Sequence, residues 1–583
     1  MVPTIMTSSA RSLLRAIVLA GAALLSAPNA PAADSAAAPA GFARRWVYIS
    51  CNFQVDAKVD EILAVLRRAA AAGYNGAVIT DSKFGRLQER PANYYANLDR
   101  LRRTADELKL ELIPCVMPVG YSNSILQNDP NLAEGLPVRG AELRVRDGKA
   151  TPAEPRNQLP FGDMEQSRDN KILGWDWIDG PGKTSFSDRT VHHAGMQSVR
   201  LENFTAGNEA GNARMNKKLM LKPWRQYHLS VWIRARTLEP AGGLRAVLLT
   251  PDGRELNFTN LGVKPNQDWR EHHVVFNSLG YSEVNLYIGL WGGIAGTFWV
   301  DDVRLQECAG VNLLRREGCP VTVTSQDGGT TYVEGRDYER WTDPRLGRIP
   351  WPGEYEPWHL PPPLTAKPGG RILDGEVLRV SYFHAQTIYD GAVPCCLRDP
   401  AVFRLFNEQV AQLQTRLRPK SWFLAHDELR LAGWCDLCTR EDWTAGQLLA
   451  ENVRQCTEIL RRRAPQAELL VWSDMFDPNH NAVKQYYLVR NSLAGSWEGL
   501  DPALSIVNWN SGKAADSLRF FADRGHRQII AGYYDSRDVA KTTAAWKKAA
   551  DGVPRVDGIL YTTWKDDYRD LEAFAKEAWG ARP

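Results

Sequence analysis

Two neighbouring carboxyl residues close the segment Trp422-Phe-Leu-Ala-His426-Asp427-Glu428, directly after a short apolar run. Paired carboxyl groups suit general acid and general base work, because one can hold a proton while the other stays charged. Four later apolar runs end in a related way. Val471-Trp472-Ser473-Asp474 and Val507-Asn508-Trp509-Asn510 each set a Trp beside an acid or amide. Gly532-Tyr533-Tyr534-Asp535 ends in two Tyr and an acid, and Tyr561-Thr-Thr-Trp564-Lys-Asp566 again joins Trp to acid. Indole faces accept the CH-rich side of a sugar ring and carboxylates accept its hydroxyls, so an aromatic cup with acids at its rim suits a carbohydrate. Adjacent residues of an extended chain point opposite ways, which would give Asp427 and Glu428 different roles. A solvated loop start or a helix cap is the other use of an Asp-Glu pair.

Apolar runs of this kind need a frame that brings their ends together. Before them, strand patterns at Trp46–Ser50, Gly76–Thr80 and 112–117 alternate with helical periodicity over Asp56–Ala72 and Leu98–Leu108. After a long gap the alternation resumes with a helix over 400–417, then strands near 421–426, 468–474, 504–508, 528–533 and 558–561, with helices between them, one of them short and near Ala482–Leu488. Eight such units predict an α/β fold, a (β/α)8 TIM barrel whose strand C-termini gather the candidate residues. A doubly wound sheet is the alternative, but no Gly-x-Gly-x-x-Gly follows the first strand. The gap lies after strand three. Many short strands with Gly, Asn and Asp turns read as a jelly-roll sandwich, and 309–385 as a small β-rich module. The expected division is a signal peptide over 1–33, barrel over 41–135, sandwich over 155–308, the β module over 309–385 and barrel again over 386–583. Seven of the 20 Trp fall in the sandwich, where most are expected to fill its core.

Two resemblances sharpen this reading. Gly162-Asp-Met-Glu165, Gly174-Trp175, His193-Ala-Gly195 and Trp299-Val-Asp301-Asp302-Val303 resemble the carbohydrate-binding modules of the cellulose- and xylan-binding jelly-roll type. That resemblance implies Glu165 and Asp302 as ligands of a structural calcium. The Asp-Glu after strand four, with aromatic-rich ends on strands five to eight, resembles the family-20 glycoside hydrolases, the β-N-acetylhexosaminidases and their relatives. It implies Glu428 as the acid that protonates the glycosidic oxygen, with Asp427 orienting a 2-acetamido group whose carbonyl oxygen attacks the anomeric carbon. Tyr533 or Tyr534 would bond that carbonyl, Trp472, Trp509 and Trp564 would wall the pocket, and Asp535 or Asp566 would bind hydroxyls. His426 would orient Asp427 or a hydroxyl, and His384 would face the same mouth. An ordinary two-carboxylate mechanism is the alternative, with Asp474, Glu498, Asp535 or Asp566 as nucleophile.

The remaining features bound the class. The 71 basic and 68 acidic residues nearly cancel, which excludes a strongly basic nucleic-acid binder. Arg11 and Arg15 precede an apolar run over 16–25 and then Ala30-Pro31-Ala32, the pattern of a secretory leader, too short to span a bilayer. A secreted or periplasmic bacterial protein with no membrane span after leader removal follows. Cys435-x-x-Cys438 is half of a zinc spacing that Cys395 and Cys396 could complete, or a local disulfide or free thiols. The whole reads as a glycoside hydrolase with a carbohydrate partner and no catalytic cofactor. The rivals are a non-catalytic glycan-binding scaffold and a polysaccharide lyase.

Overall fold

The protein is described from a computed structural model over residues 41–154, 157–207, 209–389 and 391–580. The leader expected at 1–33 lies outside the described residues. Eight parallel strands close a barrel: β1 (Arg44–Ser50), β2 (Gly76–Thr80), β3 (Glu111–Val116), β4 (Ser421–Leu424), β5 (Glu468–Trp472), β6 (Ser505–Asn508), β7 (Gln528–Ala531) and β8 (Val556–Tyr561). Their sequences are near-continuous apolar runs because both faces are covered. Trp46, Tyr48, Val78, Ile113, Phe423, Leu470 and Trp472 fill the barrel interior, while the alternate residues Val47, Ile49, Trp422 and Val471 pack outward. Trp46 stands opposite Gly76 in the β1–β2 register, and a Cβ on Gly76 would overlap its indole. Outside the strands lie α1 (Asp56–Ala71), α2 (Ala92–Leu108), α3 (Pro400–Leu417), α4 (Ala445–Arg463), α5 (Ala514–Ala522), α6 (Val539–Ala550) and α7 (Leu571–Trp579). Local chemistry starts several of them: Asp399 caps α3 with Pro400 at its first position, and Thr444 and Gln447 form a capping box on α4.

The connection from β5 to β6 departs from the expected alternation. The helix expected near Ala482–Leu488 is absent there; the chain makes two 3-10 turns, Asp474–Phe476 and Ser496–Gly499, and a short strand, Leu488–Val489. Asp477-Pro478-Asn479 explains this: Pro478 supplies no N–H, and the Asp477 side chain accepts the N–H of Asn479 in a turn.

Between β3 and α3 the chain builds three larger sheets and a two-stranded one, Ser167–Arg168 with Lys171–Ile172. Two five-stranded antiparallel sheets lie within 177–308 and share one core. A six-stranded sheet joins Leu136–Arg146 and Lys149–Pro152 to Thr322–Ser325, Thr331–Tyr332, Leu364–Thr365 and Val377–His384. The β module therefore draws two strands from before the sandwich, one of which pairs with Val377–His384. Of the seven sandwich Trp, Trp175 and Trp299 are buried, Trp177 is exposed and the other four are half-buried, so the expectation of a mainly core role is wrong. Trp232, for example, stacks on His193 with ring centroids 3.7 Å apart. All nine cysteines are unpaired. Among the described residues no helix is long and apolar enough to cross a membrane.

The indole of Trp46 makes a direct test of the barrel interior. Trp46→Ala should cost about 3–5 kcal/mol, read as a lower urea midpoint by far-ultraviolet circular dichroism; a loss under about 1 kcal/mol would contradict a packed interior.

Candidate active site

A cavity of about 740 Å³ opens at the C-terminal ends of the barrel strands. Tyr48 of β1, Thr80 at the end of β2 and Asp81 after it, Cys115 of β3 and Trp472 of β5 reach it from the barrel. Tyr121, Tyr389, Asp427, Glu428, Trp509, Tyr534 and Trp564 reach it from the loops. The rings form a continuous wall. Tyr48 lies edge-on to Trp564 at 5.2 Å, Trp472 lies 5.9 Å from Trp564, and Tyr534 stands 5.9 Å from Trp564 and 5.8 Å from Trp509 with parallel planes. A second opening of about 340 Å³ shares Tyr389, Glu428 and Trp509 and is bounded by Arg245, Glu255 and Phe258 of the sandwich.

The two central carboxyl groups differ in their surroundings. Glu428 is ion-paired to Arg430 at 2.7 Å and accepts the Tyr121 hydroxyl on its other oxygen. Arg430 in turn donates to Tyr121 at 2.9 Å and lies over the Tyr389 ring at 4.5 Å. The Glu428 backbone sits in the left-handed region at φ 47°, and its N–H is accepted by Asp474 at 2.9 Å. Asp427 makes no ion pair of its own, and Arg430 lowers it less than burial raises it. Burial first, and then the Glu428 carboxylate, push it up to about 7. One neighbouring backbone makes room for this turn: a Cβ on Gly120 would overlap the Asp427 carbonyl.

Of the residues expected at the site, Asp427, Glu428, Trp472, Trp509, Tyr534 and Trp564 line the cavity. Others do not, and each has a reason. His426 is fully buried against α4, where its Nε2 meets Asn452 at 3.1 Å, and burial lowers it to about 4. Two residues past the end of β4, it points outward, between barrel and helix. Tyr533 alternates outward too, stacking on Tyr561 at 4.1 Å and donating to Asp570. Asp474 lies behind the wall, accepting from Glu428, Asn481 and the Trp509 indole, so it positions rather than contacts. Asp535 accepts from Thr563 and from the Trp564 N–H, fixing the Trp564 turn. Asp566 sits outside the lining, in the field of Lys58. Glu498 is exposed on its 3-10 turn. His384 is buried against Asn277 of the sandwich, not at the mouth.

Tyr48, Asp81, Tyr121, Tyr389 and Arg430 were missed. Only Arg430 carried a local signal, a cation two residues after the acid pair in an apolar stretch. In the sandwich, both oxygens of Glu165 accept the Met196 N–H, and Asp302 meets His193 and Arg304.

No protein-family model and no curated protein matches the chain. Among solved structures, a family 16 carbohydrate-binding module is similar at 22% identity over 26% of this chain and 99% of its own, with a TM-score of 0.20. A Flavobacterium johnsoniae chitobiase is similar at 13% identity over 33% of this chain and 31% of its own, TM-score 0.23. An arabinose-bound α-L-arabinofuranosidase of family GH51 is similar at 11% identity over 73% of this chain and 75% of its own, TM-score 0.22.

The Glu428–Arg430 pair is testable without any substrate. Arg430 is almost wholly buried and Glu428 about a quarter exposed. Arg430→Met should cost about 2–3 kcal/mol, below the range for a fully buried pair. Adding Glu428→Gln should recover part of that loss, and strictly additive losses would show the two uncoupled.

Proposed function

We propose that this chain is a glycoside hydrolase acting in the barrel-mouth cavity. One observation carries the proposal: two adjacent carboxyl groups face one aromatic-walled cavity, one paired with a guanidinium and the other raised by burial. Environments that separate two carboxyl groups in this way divide the acid and charged roles between them. The family-20 resemblance implies Glu428 as the acid. The Arg430 pairing favours the opposite division.

Asp427, protonated near neutrality, donates its proton to the glycosidic oxygen as the bond to the leaving group breaks. Glu428, held in place by Arg430 and Tyr121, faces the positive charge that develops at the anomeric carbon. It either bonds that carbon or steadies a 2-acetamido group that does, and both routes retain configuration. Trp472, Trp509 and Trp564 hold the sugar ring and limit water. We read the frame as a (β/α)8 barrel interrupted after its third strand, lacking one helix, with the sandwich extending the glycan path. The leader over 1–33 would export it.

A panel of aryl glycosides with and without a 2-acetamido group tests this reading. Hydrolysis of at least one class is expected, with kcat/KM falling as pH rises through about 7, the value to which Asp427 is pushed up beside buried Asp474, itself pushed up to about 8. Asp427→Asn should lower kcat/KM by roughly 10²–10⁴ on poor leaving groups, much less on dinitrophenyl glycosides, and abolish the alkaline limb. If Glu428→Gln shows that leaving-group pattern instead, the roles are reversed. Glycan binding without hydrolysis would favour the scaffold, and unsaturated products a lyase. Folding gives an independent check. A raised carboxyl binds its proton more tightly in the folded state, so its share of stability falls as pH rises from the ordinary Asp range to about 7. Asp427→Asn should therefore be more stable than wild type at pH above that window.

Gly120 tests positioning. Gly120→Ala must displace the Asp427–Glu428 backbone. A misplacement of about 1 Å is enough for a loss near 10²-fold in kcat. A structural role alone would lower stability and leave kcat and the pH profile of the folded enzyme unchanged.

A further inference from the structure

Away from the cavity, three cysteines and a glutamate meet in a fully buried cluster. Cys396 Sγ lies 3.5 Å from Cys435 Sγ and 3.6 Å from Cys438 Sγ, and Cys438 Sγ lies 3.6 Å from Glu134 Oε2. All four ligand atoms fall within 4.8 Å of one another. None of the four residues lines the cavity.

We propose that Glu134, Cys396, Cys435 and Cys438 hold one structural zinc ion. The spacing fits a tetrahedron: zinc–sulfur bonds of about 2.3 Å and zinc–oxygen bonds near 2.0–2.2 Å put tetrahedral S···S edges near 3.8 Å and S···O edges near 3.5–3.6 Å. A disulfide needs about 2.05 Å between sulfurs. Joining any two of the three would also leave one thiol and a buried carboxyl facing each other without a partner ion. A single-ion site of this size excludes an iron–sulfur cluster, and four protein ligands leave no open position for catalysis.

The surroundings orient the ligands from separate segments. Glu134 and Cys396 arrive side by side because the Glu134 N–H donates to Pro394 and the Cys396 N–H to Leu132. The N–H groups of Trp434 and Cys435 bind Glu134 Oε1 at 2.6 and 3.0 Å, which leaves Oε2 facing the sulfurs. Such outer contacts fix a ligand's orientation. Cys435 and Cys438 are joined in a turn by the Cys438 N–H to the Cys435 carbonyl, 2.9 Å. Arg316, buried beside the cluster, donates to Ala133 at 3.0 Å and supplies positive charge against a net-anionic centre. Cys395, which could have completed the zinc spacing with Cys396, instead turns toward Pro118. The ion would fasten the loop after β4, which carries Asp427, Glu428 and Arg430, to the segments before the β module and α3. The proposal holds whatever the cavity binds.

Metal analysis of the full chain grown with zinc, by inductively coupled plasma mass spectrometry, is the test. About one zinc per chain is expected, falling below roughly a tenth in Cys396→Ser and Cys438→Ser, as each removes one of four ligands. Cys308→Ser and Cys456→Ser, outside the cluster, should keep it. Cobalt substitution should give thiolate charge-transfer absorption that the first two variants lose, and chelation should lower Tm reversibly on adding zinc back. A metal-free wild-type chain overturns the proposal, whether its mass is two hydrogens lighter by a disulfide or all nine cysteines react as thiols on unfolding. Stoichiometric iron in place of zinc also overturns it.

Discussion

Arg430 carries a guanidinium with almost no access to water, and the shape of the mouth follows from what that charge requires. A buried cation must be paired and hydrogen-bonded, or its desolvation costs more than the fold can spare. Glu428 supplies the charge, Tyr121 an acceptor, and the Tyr389 and Tyr487 rings lie over it at 4.5 and 5.6 Å. Glu428 shares the loop after β4 with Arg430, and the other partners come from three places: the loop after β3, the return from the β module, and the connection after β5. One buried charge thus binds the barrel's loops to each other. It also gives Glu428 a direct ion pair that its neighbour Asp427 lacks.

The sandwich enters the same network. Leu431 and Leu488 join the sandwich core, and Arg254 donates to the Tyr487 and Val489 carbonyls at 2.7 and 2.8 Å. The segment Leu431–Ala432 pairs in parallel with Leu488–Val489, directly after Arg430. The loop after β4 is therefore held at its start by Asp474 and Arg430, in its middle by the sandwich, and at Cys435 and Cys438 by the buried cluster. A loop so fixed spends little entropy on ordering when a ligand arrives.

The barrel strands were legible because each is a short apolar run closed by a change of composition, and the same ends marked Trp472, Trp509 and Trp564. What the sequence hid was pairing at long range. Leu136–Arg146 begins Leu-Pro-Val-Arg-Gly, which reads as loop, and its partner strand lies more than two hundred residues later. His426 and Tyr533 were misassigned through a local rule: residues near a strand end alternate between cavity and helix layer, and a one-residue error in phase moves a side chain from one to the other. Tyr121 and Tyr389 sit in loops without periodicity, so only the folded chain brings them beside Glu428.

The divergence of Asp427 and Glu428 was expected from an extended strand, but the strand has already ended at Leu424. The chain instead takes a left-handed residue at Glu428, a conformation that costs an ordinary side chain about 1–3 kcal/mol. Glycine would relieve that cost and could not carry a carboxylate. Two contacts of Glu428 itself offset it: its N–H on Asp474 and its side chain on Arg430. The left-handed turn is what lets both carboxyl groups reach one cavity, whereas strict alternation would have sent one of them into the helix layer with His426. The strain therefore falls at the residue that pairs with the buried guanidinium, and that ion pair holds the strained turn in place.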